Sequence, residues 1–197
     1  MSSLQLLVIA ATAAASLSAQ AAGTCYHFDG QAADASYPVN GPPVEIGIGR
    51  IQVRDLKLDG AVVAPANRFL KVMPAQHIAG GAAPEMYGKN VAVQMLPREG
   101  VHQIRLRYAH QPGAEGARAA MVEVNGARHD WTGSLHKLDG QTIAADGHAA
   151  RFQVRQPDGH GDNGWISGEL TLTSQDGIRS FTLGAAELRL DDVCFER

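Results

Sequence analysis

Aromatic residues are scarce in this chain. Phe, Trp and Tyr together make up 6% of its 197 positions, so each one matters either as core filler or as a flat platform for a ligand. Excess positive charge is also missing. The formal net charge is −3, with Lys and Arg scattered along the sequence; this excludes the basic face that nucleic acid or an anionic lipid surface requires. No stretch repeats its apolar residues at spacings of three and four over the length of a helix, which excludes amphipathic helices as the framework. Nucleophile signatures are absent too. There is no Gly-x-Ser-x-Gly, and the nearest string, Trp165-Ile166-Ser167-Gly168, lacks the leading Gly and the strand-to-helix turn that exposes the hydroxyl. The eight histidines include no HExxH and no H-x-H pair that one strand face would need to share a zinc ion. His129 and His136 are the two that a hairpin would bring together.

Cysteine is limited to Cys25 and Cys194, and their use depends on where the chain resides. Residues 1–21 read as a secretion signal. Leu4, Leu6, Leu7, Val8 and Ile9 open an apolar run that continues through alanines to Leu17. Ala19-Gln20-Ala21 supplies the small-x-small cleavage pattern, which places the mature start at Ala22. The run is too short and too rich in alanine for a stable span, so no membrane span is expected after cleavage. Thr24 stands where lipoprotein processing wants a smaller residue before Cys25. The expected location is periplasmic or extracellular, and there a Cys25–Cys194 disulfide is the default, ahead of two free thiols or metal ligation. Closing nearly the whole chain is worth about 5 kcal/mol in the chain-entropy account of disulfides.

Residues 22–197 suit a single domain. Ile46–Leu58 alternates apolar and polar residues with one shift of phase. Val91–Leu96 and Val101–Tyr108 flank the turn Pro97-Arg98-Glu99-Gly100. Ala119–Val124 ends at Asn125-Gly126, the strongest hairpin signal in the chain. Ala149–Arg155 and Trp165–Thr173 follow, and Gly177–Phe195 reads as a closing hairpin. In its last strand Leu188, Leu190, Val193 and Phe195 alternate, but Asp191-Asp192 shifts the phase by one, which signals a β-bulge or a re-aimed carboxylate. Residues 61–90, broken by Pro65, Pro74 and Pro84, read as a long irregular insert, either a binding loop or a lid. Its Phe69, Leu70, Val72 and Met73, with Tyr87, are expected to plug one open end. The pattern as a whole predicts an all-β protein, an antiparallel two-sheet β-sandwich of the jelly-roll type, with its N- and C-terminal strands adjacent and disulfide-linked.

The closing strand Leu188-Arg189-Leu190-Asp191-Asp192-Val193-Cys194-Phe195, taken with a first strand near the mature start, resembles the galactose-binding-like jelly rolls. These include many carbohydrate-binding modules. The resemblance covers the two ends of the chain only. It implies a structural calcium held by a carboxylate of the last strand, here Asp192 or Asp191, with Asp29 as its partner. The two cysteines depart from that pattern and offer a covalent staple in place of the ion.

A glycan surface needs exposed aromatic rings to stack on pyranose faces, with polar side chains beside them for the hydroxyls. Trp131, set in a turn-rich stretch after His129-Asp130, is the best platform, and Tyr87 is a second; Trp165, at the start of a strand, is read as core. The string Asp158-Gly159-His160-Gly161-Asp162-Asn163-Gly164, with Glu169, echoes an EF-hand calcium loop but lacks its turn glycine and its flanking helices, and is read as a hairpin tip. A glycosidase would need two carboxylates about 5–10 Å apart, and the spacing of the acids selects no pair. The expected function is therefore an exported, non-catalytic protein that recognises a glycan or cell-envelope polysaccharide. The expected binding set is Trp131, Tyr87, His129 and Asp130. An adhesin-like or periplasmic subunit that binds another exported protein is the alternative, and a polysaccharide hydrolase or lyase the second.

Overall fold

A computed structural model describes residues 24–74, 78, 84–111, 118–145, 148–155 and 164–197. The secretion signal expected at residues 1–21 and most of the loop expected at 158–164 lie outside the described residues. Apart from 3-10 turns at Phe28–Gly30 and Leu135–Leu138, all regular structure described is β. In chain order the strands are β1 (Thr24–Tyr26), β2 (Ser36–Tyr37), β3 (Val44–Glu45), β4 (Gly49–Asp55), β5 (Lys57–Leu58), β6 (Ala61–Val62), β7 (Phe69–Met73), β8 (Glu85–Pro97), β9 (Val101–His110), β10 (Arg118–Val124), β11 (Ala127–Thr132), β12 (Thr142–Ala145), β13 (His148–Arg155), β14 (Ile166–Ile178) and β15 (Phe181–Glu196). All their pairings are antiparallel.

The protein is an all-β sandwich, and β15 is the strand its two layers share. Phe181–Ala185 lie between β8 and β10, whereas Cys194 and Phe195 lie between β9 and β1. Along one edge of β15, β10 gives way to β9; along the other, β8 gives way to β1. The first layer therefore runs β3-β4-β8-β15-β10-β11 and the second β12-β13-β14-β9-β15-β1. Inward residues follow the strand period of two. Val53, Val93, Leu183 and Val122 line one inner face, and Phe152, Leu172 and Ile104 line the other, all of them in one buried cluster. Phe152 meets Phe181 across the layers, with ring centroids 6.2 Å apart.

The Asp191-Asp192 shift in the sequence is a shift of register in the structure. Pairing with β9 slips between Asp191 and Cys194, and Asp192 takes φ 49°. Asn125-Gly126 makes the β10–β11 turn with both residues at positive φ, as its sequence predicts. Cys25 stands opposite Cys194 in the β1–β15 register, and the two form the disulfide. The bridge joins the terminal strands across 169 residues of chain.

The 61–90 segment departs from the irregular insert expected there. It holds β6, β7 and the first part of β8, and β7 pairs with β8 along its whole length. Leu70 and Val72 are buried in strand order rather than as a plug. A five-residue strand offers only two alternations, too few to stand out between Pro65 and Pro74. On the outer face of the first layer the β5–β6 ribbon covers Leu56, Ala92 and Met121. Gly184 keeps that contact close, since a Cβ there would come within 2.8 Å of the Ala92 methyl and 2.9 Å of Leu56.

Candidate functional site

Strands β11 and β12 are the outermost strands of the two layers, and among the described residues each hydrogen-bonds along one edge only. Between them lies a groove of about 300 Å³. Trp131 and His129 stand on one wall, Gln141, Thr142 and Ile143 on the other, and Leu138 of the second 3-10 turn forms the floor. His129 and Trp131 alternate along β11 and so share a face, their ring centroids 5.5 Å apart. Trp131 is half-buried against the main core, and His129 is exposed. The groove thus offers a held aromatic ring beside amide, hydroxyl and imidazole groups.

The wall carrying Trp131 is anchored from beneath. The Trp131 indole Nε1–H donates to the carbonyl of Ser134 at 3.3 Å. Ser134 in turn places its Oγ 2.9 Å from Nε2 of His110, and the Leu135 amide donates to the same nitrogen at 3.1 Å. Nε2 is therefore the acceptor, and the imidazole proton is assigned to Nδ1. His110 is fully buried at the end of β9. Burial pushes its pKa down to about 4, the Gln111 backbone offsets part of that, and His136 adds to the lowering. The Ser134–His110 contact has the distance of a hydrolytic dyad without its chemistry. The Nε2 lone pair is already shared with a backbone amide, and an imidazole held neutral down to about pH 4 is a poor proton acceptor. This pair is a structural pin for the 131–138 segment.

Of the four expected ligand residues, the structure brings together Trp131 and His129. Asp130 lies between them in sequence and so faces the other side of the sheet. There its carboxylate accepts from the Asp59 amide at 2.9 Å and from the Arg128 guanidinium at 2.8 Å. Tyr87 belongs to the second layer's outer face, away from the groove. Its ring and that of Trp165 flank the Arg189 guanidinium, at 4.7 and 5.1 Å from the ring centroids. Arg189 pairs with the fully buried Glu85 at 3.1 Å, whose other oxygen accepts the Ile78 amide at 2.8 Å. The Tyr87 hydroxyl donates to Glu187; burial first, then that carboxylate, push its pKa up to about 12. Tyr87 serves this packed ionic cluster.

Asp29 and Asp192, the expected calcium pair, stand in the chain's first 3-10 turn and in the last strand. Asp192 contacts His27, and Arg107 pairs with its second oxygen at 3.3 Å. Asp29 is exposed in the first 3-10 turn, two residues beyond His27. Among the described residues no group of three His, Cys, Asp or Glu side chains is placed to hold a metal ion. Sequence reasoning missed Gln141, Thr142 and Ile143, and missed the pin of His110 and Ser134. The His-Asp-Trp order at 129–131 was the one local signal for the site.

No protein family, curated protein or solved structure matches the chain.

Proposed function

We propose that this is an exported glycan-binding protein whose ligand lies in the groove between β11 and β12, with a cell-envelope polysaccharide as the ligand class. The observation that carries the reading is the half-buried Trp131 ring, held by the Ser134 carbonyl beneath it and set in a groove that also presents His129, Gln141 and Thr142. A sugar ring stacks its C–H face on an indole, while amide and hydroxyl groups at the margin exchange hydrogen bonds with its hydroxyls. Holding Trp131 in place before binding lowers the entropy cost of that contact. The disulfide between β1 and β15 agrees with an oxidising compartment.

Calorimetric titration with a panel of envelope and plant polysaccharides tests the reading. One ligand class binds, and Trp131→Ala weakens it by about ten-fold or more, as expected for an aromatic at the centre of a contact. Full affinity in the variant places the ligand elsewhere.

A second reading rests on the edges themselves. β11 and β12 each leave one side unpaired among the described residues, and an extended segment of another exported protein adds a strand at such an edge. Binding of that kind survives Trp131→Ala and is lost when a proline replaces a residue whose amide faces the open edge of β12.

A further inference from the structure

A second pocket lies on the opposite face of the first layer. The register places Gln52, Gln94, Thr182, Glu123 and Arg128 opposite one another, straight across β4, β8, β15, β10 and β11. All five belong to the outward face, since the inward positions beside them are Val53, Val93, Leu183 and Val122. The β5–β6 ribbon overhangs one end of this polar row. It is tied down by Asp130, which accepts the Asp59 amide, and by the Arg128 guanidinium, which donates to the Lys57 carbonyl. Ribbon and row together enclose a pocket of about 190 Å³.

Most charged groups lining this pocket are engaged. Arg54 donates to Gln94 at 3.0 Å, Asp55 is held by Arg68 and Asn40, and Arg128 by Asp130. Two are not. The side chains of Glu123 and Lys57 have no hydrogen-bond or ion-pair partner among the described residues. The half-buried Glu123 and the exposed Lys57 therefore border the same small volume, with Thr182 and Gln94 beside them. An anion entering there would meet Glu123, and a cation would meet Lys57, Arg54 and Arg128. A neutral ligand with several hydroxyls satisfies both, donating to the carboxylate and accepting from the ammonium.

We propose that this pocket is a second binding site, distinct from the β11–β12 groove, that takes one neutral polyhydroxylated residue, a pyranose or a comparable polyol. It depends on the alternation of β11, which sends Trp131 to one face and Asp130 to the other, with Arg128 lining both the groove and the pocket.

The test is an amide chemical-shift titration of the oxidised protein with methyl hexopyranosides and inositol at tens of millimolar, the range for a ligand of this size held by a few polar contacts. The expected result is saturable shifts at Lys57, Gln94, Glu123 and Thr182 that persist in Trp131→Ala. Glu123→Gln weakens them by about ten-fold, because a hydrogen bond to a charged acceptor is replaced by one to a neutral amide. Lys57→Ala, on the exposed ribbon, gives an independent loss. The proposal is overturned if no probe moves these amides, or if the affinity is unchanged in both Glu123→Gln and Lys57→Ala. Shifts confined to the β11–β12 groove would overturn it too, while leaving the groove reading intact.

Discussion

Acidification should weaken this fold through one residue, His110. In the folded protein its pKa is lowered to about 4 from the ordinary imidazole value of 6.5, with burial the largest cause. An unfolded chain returns the imidazole to its ordinary value, so between those two values the unfolded state binds the proton and the folded state does not. Stability is therefore complete above the unfolded pKa near 6.5, falls as the pH drops, and has lost this whole contribution once the pH passes below about 4. At 1.36 kcal/mol per unit the loss is about 3 kcal/mol, a large part of a typical domain's stability. The local consequence is specific. A proton on Nε2 removes the acceptor that the Leu135 amide uses and disturbs the Ser134 hydroxyl beside it, so the segment under Trp131 loses its pin. Urea unfolding followed by far-UV circular dichroism, repeated from neutral pH down to about pH 4, measures the slope. His110→Gln should flatten that slope in this window while starting from a lower stability at neutral pH. In a Trp165→Phe background, indole emission then reports on Trp131 alone and should shift toward that of an exposed indole on acidification before the circular dichroism signal is lost. The reasoning fails if His110→Gln keeps the wild-type slope, or if the wild type is flat across the window.

Two further substitutions probe what holds the layers together. Replacing Cys25 and Cys194 together by serine should cost about 3–5 kcal/mol, since the bridge closes 169 residues of chain; urea midpoints with and without reductant measure it, and reductant should leave the double variant unchanged. Arg189→Met should cost about 3–5 kcal/mol by leaving the fully buried Glu85 carboxylate without its guanidinium. Adding Glu85→Gln should recover part of that loss, and a double-mutant cycle showing no coupling between the two positions would contradict the ion-pair account.

The features legible in the sequence were those carried by neighbours along the chain. Asn125-Gly126 announces a tight hairpin because both residues tolerate positive φ, and both adopt it. Asp191-Asp192 breaks a period of two, and the structure answers with a register slip at that point. Trp165, which its place at the start of a strand marks for burial, is buried, in the small cluster with Ile78 and Ala109. What stayed hidden depends on which strands meet. The identity of the partners along β15, β8 and β10 first and β9 and β1 later, leaves no mark in its sequence, because Phe181–Ala185 before the change and Cys194 and Phe195 after it are flanked on both edges alike. His110 and Ser134 are 24 residues apart and become a pin only once β9 ends beneath the 3-10 turn. Asp130 makes the point most sharply. As part of a turn-rich stretch it belonged with His129 and Trp131; as the middle residue of a strand it cannot. The period of two turns Asp130 away from the groove and onto Arg128 and the Asp59 amide. Once residues 127–132 are recognised as a strand, the same alternation that removes Asp130 from the first site assigns it to the scaffold of the second, where it ties down the ribbon that roofs the pocket.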